Sequence, residues 1–296
     1  MGARGDRKAM RVTASAVVDQ LHLGDHVCWV DDDETGSLHA AGRFVASGLR
    51  LGHKVVWFTD GVSPAAVRAH LDGAGVPTEA ALAGGQLRIA PAVEGYAAEG
   101  PFTPDEMIGN LTTEILRARR EDRAGVRVVG DMGWAIRQGV SVADLVRYEA
   151  EVNRLFLDGE AAAMCLYDRR LFPAEYLLPT TAAHPATVGR NAGRAWAPML
   201  RAYRTREPHG LRLVGEVDQS NRGAFAAMLE HLTGPGTNQR TAVLDVSELR
   251  FADVGAASAL ARVRRNAPSE VRLVGCRPAL TRLLDLVDGT DPGPPA

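Results

Sequence analysis

KVVWFTDGVSPAAVRAHLDG, residues 54–73, is the unit on which the fold turns. Its opening run, 54–59, is continuously apolar after the lysine and reads as a buried strand. Asp60 closes the run, and a helical pattern follows over 63–74. The same succession recurs on both sides. HVCWV (26–30), QLRIA (86–90), VRVVG (126–130) and AAMCLY (162–167) read as strands. Helical patterns lie near 35–50, 104–121 and 142–157. Strands spaced by helices of this length imply βαβ units and a parallel sheet. The helix at 104 starts well, with Thr103 as cap, Pro104 at the first helical position and two acids behind it.

Beyond this unit the periodicity weakens. Residues 180–208 carry several Gly and Pro, and 188–207 is expected to be a linker. A second, smaller β/α pattern follows. LRLVGEV (211–217), AVLDVS (242–247) and EVRLVG (270–275) read as strands. Helices are expected over 220–232, 255–265 and 278–287. The chain shows no internal repeat and no coiled coil. The expected class is therefore α/β, with a parallel-sheet domain over 17–187 and a smaller α/β domain over 208–290.

Composition narrows the function classes. The 296 residues suffice for two domains, and 46% hydrophobic content supports a real core. A formal charge of −2 gives no electrostatic case for nucleic acid or an anionic membrane. Cys28, Cys165 and Cys276 are far apart and odd in number, which points to a reduced cytoplasmic protein. No stretch approaches about 18 uninterrupted apolar residues, and the N-terminus lacks a signal-peptide core. Residues 1–15 and the tail GTDPGPPA are expected to be disordered.

In a parallel α/β sheet, ligands bind beyond the carboxyl ends of the strands. Here those ends are acidic: VDDDETGS after the first strand, then Asp60, Asp131 and Asp168. A phosphate-binding loop would need G-x-x-x-x-G-K-[ST], and DDDETGSL has no lysine and a cluster of carboxylates. Helix capping explains Asp32 or Asp33, Asp60 and Asp168. Asp131 has no obvious helix to cap, and with Trp134 three residues on it reads as the lining of a small-molecule pocket.

Glu149 and Asn153 fall on the apolar face of the 142–157 helix, beside Leu145, Val152 and Phe156. A carboxylate there needs a partner. Arg137 or Arg147 would supply an internal pair, and a polar contact in a ligand cavity is the alternative. His26 and Cys28 form an H-x-C pair on one strand face, but two ligands are not a metal site and packing explains them. His22, His39, His53 and His184 show no metal spacing. No cofactor and no catalytic residue is expected.

LGDHVCWVDDDE, GDMGWAIRQG, VRYEAEVNRLF and MCLYDRRLFPAEYLLPTTAAHP together resemble the MEDS sensory domain, over residues 17–187. That resemblance implies a RecA/KaiC-like fold without the phosphate-binding loop. It also implies a sensor of a small ligand, hydrocarbon-derived in character, with His26, Cys28, Asp131, Trp134, Glu149, Asn153 and Tyr167 at the matching positions.

LRLVGEVDQSN, AVLDVSELRFADVGAASALARV and VRLVGCRPALTRLLDLV resemble STAS domains, the fold of anti-sigma factor antagonists. In such antagonists the turn usually reads Asp-Ser-Ser/Thr-Gly, and a kinase phosphorylates the first Ser to block docking. Aligned on Asp253, Val254 holds that position, so the usual switch is absent. Ser247 and Ser258 are nearby but read as capping or packing residues.

The leading expectation is a non-enzymatic cytoplasmic regulator. Its partner would be an anti-sigma factor with a kinase-like fold, or another regulatory protein, docked on Asp253, Val254, Gly255, Ser258 and Arg262, with Arg265 on the same helix. The rivals are a degenerate ATPase-like enzyme that holds Mg²⁺ in the acidic crown, and a scaffold whose STAS-like domain docks intramolecularly or as a homodimer.

Overall fold

A computed structural model describes residues 17–96, 102–189, 197–233, 241–267 and 270–289. Of the segments expected to be disordered, 1–15 and 290–296 lie outside the described residues, whereas Gly289, the first residue of the expected tail, closes the last helix.

The first sheet is built from β1 (His26–Asp31), β2 (Lys54–Thr59), β3 (Leu87–Pro91), β4 (Val126–Asp131), β5 (Ala161–Asp168) and β6 (Ala186–Val188). Their order is β3-β2-β4-β5-β1-β6, and every pairing is parallel. The strands are continuously apolar because both faces are covered. Val27, Trp29, Val55, Trp57 and Met164 enter one core, under α1 (Glu34–Arg50), α2 (Pro64–Gly73) and α3 (Thr78–Ala83). Cys28, Val56, Phe58, Cys165 and Tyr167 enter the other.

That second core lies under α4 (Ala92–Tyr96), α5 (Pro104–Arg120), α6 (Gly133–Arg137) and α7 (Val142–Glu151). A 3-10 turn, Val152–Leu155, continues α7, and α8 (Ala174–Ala182) follows β5. Among the described residues, no helix is long and apolar enough to cross a membrane.

The second sheet has the order β10-β9-β8-β7. Its strands are β7 (Leu200–Arg206), β8 (His209–Val217), β9 (Thr241–Ala252) and β10 (Glu270–Val274), covered by α9 (Arg222–Thr233), α10 (Val254–Asn266) and α11 (Pro278–Gly289). The segment expected to be a linker holds β7, which pairs antiparallel with β8. Only Leu200 and Ala202 of this edge strand are buried, and Arg201, Arg204 and Arg206 among the rest mask it in the sequence. Residues 190–196 of the expected linker lie outside the described residues.

The two sheets share packed surface. Helix α9 touches α7, the 3-10 turn and α8 on one side and β8 and α10 on the other. Leu157 enters the second domain's core. Arg201 grips the buried Asp25 carboxylate at 2.7 and 2.9 Å, and Arg204 Nε lies 3.0 Å from Asp158.

Candidate functional site

A cluster of buried polar side chains lies on the α7 side of the first sheet. The 3.6-residue period that packs Leu145 also turns Glu149 inward, and the 3-10 turn sets Asn153 four residues further on the same face. His26 stands on β1. Cys165 and Tyr167 share one face of the neighbouring β5, because alternate strand residues point the same way. His184 arrives from the chain just past α8.

All six side chains are fully buried or nearly so. Glu149 Oε2 lies 3.3 Å from His26 Nε2 and 3.3 Å from His184 Nε2. Tyr167 donates its hydroxyl to Glu149 Oε1 at 2.5 Å. Cys165 Sγ lies 3.3 Å from His26 Nε2 and 3.7 Å from Glu149 Oε2. Asn153 Nδ2 donates to the carbonyls of Glu149, Ala150 and Ala183, which leaves its Oδ1 3.0 Å from His26 Nδ1.

The electrostatics follow from burial and this one carboxylate. Burial alone would raise Glu149, but His184 and His26 outweigh it and hold the carboxyl below the ordinary range. Burial, and then His184, lower His26. Burial, and then Glu149, raise Cys28, Cys165 and Tyr167 well above their ordinary values.

Glu149 therefore finds its partners in two histidines and a tyrosine, not in an arginine. Arg137 pairs with Asp60, and Arg147 lies near Asp105 and Glu151, because both guanidiniums face the solvent-exposed rim. His184 and Cys165 were missed in the sequence. They come from different elements, so no local spacing announces them.

A separate cleft of about 80 Å³ opens at the carboxyl ends of the strands, lined by Asp31, Gly61, Asp131, Arg137, Tyr167 and Asp168 among others. Asp131 lines it as expected, but it also has a structural task. Its carboxylate accepts the N–H groups of Asp60, Gly61 and Gly133, the last opening α6 directly behind it. The expectation that no helix follows Asp131 is corrected by that short helix. Burial raises the Asp131 carboxyl, with Gly61 and Gly133 pulling it back.

Trp134 does not join Asp131 in the cleft. It is buried in the core, with its ring 5.0 Å from Phe102. Cys28 is likewise a core residue, paired in register with Cys165 but outside the polar cluster. Tyr167 alone belongs to both cluster and cleft. Asp60 and Asp168 do not cap helices. Ser63 caps α2 instead, and Asp168 binds Arg170.

In the second domain, Asp253 caps α10 by accepting the Ala256 N–H at 2.8 Å, and it pairs with Arg222 of α9 at 2.5 Å. Val254 begins α10 and is 59% exposed, and Phe251, near the end of β9, is 51% exposed. A side chain at Gly255 would run into the Arg222 guanidinium. Ser258 donates its hydroxyl to the Val254 carbonyl at 2.8 Å. Arg262 is exposed on the same helix, and Arg265 pairs with Asp288 of α11.

Comparison with known proteins assigns both halves. The family model described as MEDS, the methanogen/methylotroph DcmR sensory domain, matches residues 25–185, more than half of the chain. The chain belongs to the MEDS family. A STAS domain of the Mlab description follows over residues 200–290.

The chain is similar to the transcriptional repressor DcmR of Methylorubrum extorquens, 28% identical over 168 residues. That match spans 55% of this chain and 59% of the repressor. Two solved structures are also similar. The flagellar accessory protein FlaH from Methanocaldococcus jannaschii has a TM-score of 0.40 at 12% identity, over 56% of this chain and 71% of that one. The KaiC-like protein PH0186 from Pyrococcus horikoshii OT3 has a TM-score of 0.41 at 13% identity, over 56% and 70%.

Proposed function

We propose that this MEDS protein is a non-enzymatic signalling regulator. Its MEDS domain senses a small ligand through the buried cluster and the adjoining cleft. Its STAS domain docks a regulatory protein, an anti-sigma factor of kinase-like fold, through Asp253, Val254, Gly255, Ser258 and Arg262. The likeness to a transcriptional repressor supports the regulatory part of this reading.

The observation that carries it is the joint between the two sites. The segment that brings His184 to Glu149 is held by the STAS domain. Pro185 O accepts the Leu200 N–H at 3.2 Å and the Asn221 amide at 3.4 Å. Gly223 lies so close to Ala182 O that a Cβ would stand 2.9 Å from it. The same helix, α9, carries Arg222 onto Asp253 at the start of α10. A shift of His184 therefore presses on the helix that braces the docking turn.

Val254 has no hydroxyl, so phosphate cannot be placed at the usual acceptor position. Control then falls to the sensory domain. The test is to incubate the full chain with the anti-sigma kinases of its own host, measuring affinity by calorimetry and phosphate by mass spectrometry. One kinase should bind, Val254→Glu should weaken binding about tenfold or more, and the 245–260 peptide should stay unmodified. Stoichiometric phosphate on that peptide, or binding indifferent to Val254→Glu, overturns the proposal.

A further inference from the structure

We propose that His26, Glu149, Cys165 and His184 form a closed, four-ligand site for a divalent transition metal of the zinc class. Their ligand atoms all lie within 4.8 Å of one another and all four residues are buried. Four of the separations, 3.3, 3.3, 3.3 and 3.7 Å, are given by neighbouring pairs of these atoms. A tetrahedral centre with bonds of about 2.0–2.3 Å has edges of about 3.3–3.7 Å.

The surroundings fix which atoms face the centre. The Thr180 carbonyl, 2.7 Å from His184 Nδ1, can only accept, so Nδ1 is the donor. Asn153 spends its amide hydrogens on backbone carbonyls, so its Oδ1 accepts from His26 Nδ1 in the same way. Both imidazoles thus turn an Nε2 lone pair inward, the outer support that metal-bound histidines use. Tyr167 occupies the other oxygen of Glu149.

A proton count shows what the centre lacks. With both imidazoles neutral, His26 Nε2, His184 Nε2 and Glu149 Oε2 are three acceptors facing one another, with only the Cys165 thiol proton between them; a proton on one imidazole is the alternative occupant that a cobalt titration separates. His184 Nε2 makes no hydrogen bond among the described residues. A divalent cation satisfies all of them. Binding displaces the Cys165 proton to solvent, and the cation, one thiolate and one carboxylate then sum to zero charge, which suits full burial. One thiolate, two imidazoles and one carboxylate form a donor set of intermediate softness, as zinc-class ions prefer.

The site ties together β1, α7, β5 and the His184 segment that the STAS domain holds. It deepens the sensory reading, on which it rests only for the consequence of binding and not for binding itself.

The test uses the full chain, stripped with a chelator and titrated with Co²⁺. About one equivalent should bind, with intense visible bands of four-coordinate cobalt and a near-ultraviolet thiolate-to-metal band, both displaced by Zn²⁺. Cys165→Ser should abolish the near-ultraviolet band, whereas Cys276→Ser should leave it. His184→Asn should weaken affinity at least about 10–100-fold. A wild-type chain that shows no bands overturns the proposal without recourse to any variant, and so does a thiolate band that survives Cys165→Ser. A proton bridging the acceptors in place of a metal gives the first of these results. That failure would leave the sensory reading intact for an organic ligand, because the Val254→Glu experiment reads the other domain.

Discussion

Arg127 is buried on the sheet face away from Glu149. It donates to His53 Nδ1 at 3.2 Å, to the Phe44 carbonyl at 3.1 Å and to the Leu21 carbonyl at 3.2 Å. Burial, and then this neighbouring guanidinium, push His53 down to about 4. The unfolded chain protonates the same imidazole near 6.5. Stability from this site is therefore complete above that value and is lost as the pH falls from about 6.5 towards 4. Urea denaturation should show the loss, on the order of 1–2 kcal/mol between pH 7.5 and 5. His53→Gln keeps an acceptor for Arg127 and should flatten that dependence. An unchanged pH slope in the variant would contradict the assignment. At this scale the cluster was half legible. An acid on an apolar stripe draws attention to Glu149 and Asn153, and H-x-C draws it to His26. His184 and Cys165 carry no such mark, since their meeting with Glu149 is made by strand adjacency and by a turn after α8.

Elements were the most legible scale in the first sheet, because strands buried on both faces read as unbroken apolar runs. The helices that sequence patterns missed, such as α6 and α8, are short or carry an internal proline. Edge strand β7 was hidden because only Leu200 and Ala202 are buried, and Arg201, Tyr203 and Thr205 occupy the opposite face. Close packing of helix on sheet gives a prediction with two opposite signs. Gly48 of α1 lies against β4, where a Cβ would stand 2.8 Å from Arg127 Cδ and 3.1 Å from Val55. Gly109 of α5 has open space around it. Ala gains about 0.5–1 kcal/mol over Gly by helix propensity. Overpacking at Gly48 costs about 1–3 kcal/mol and should win. Gly109→Ala should thus stabilise by about 0.5–1 kcal/mol, and Gly48→Ala should destabilise by about 1 kcal/mol. Denaturation midpoints read both, and equal shifts of the same sign would contradict the packing described.

At the scale of the whole molecule, the two domains were legible from their strand–helix grammar, but their joint was not. Nothing in the sequence announces that α9 packs against the first domain as well as its own, that Leu157 enters the second domain's core, or that Arg201 reaches Asp25, the residue before His26. These contacts depend on how two finished surfaces meet. They also carry the proposed coupling, in which a change in the Glu149 cluster would reach the Asp253 turn through α9. Hydrogen–deuterium exchange on the full chain tests this directly, comparing wild type with His184→Asn. Coupling through α9 predicts faster exchange in residues 222–233 and 253–266, with 54–59 and 87–91 unchanged. Faster exchange confined to residues around Glu149, with both STAS helices as protected as in the wild type, would contradict it.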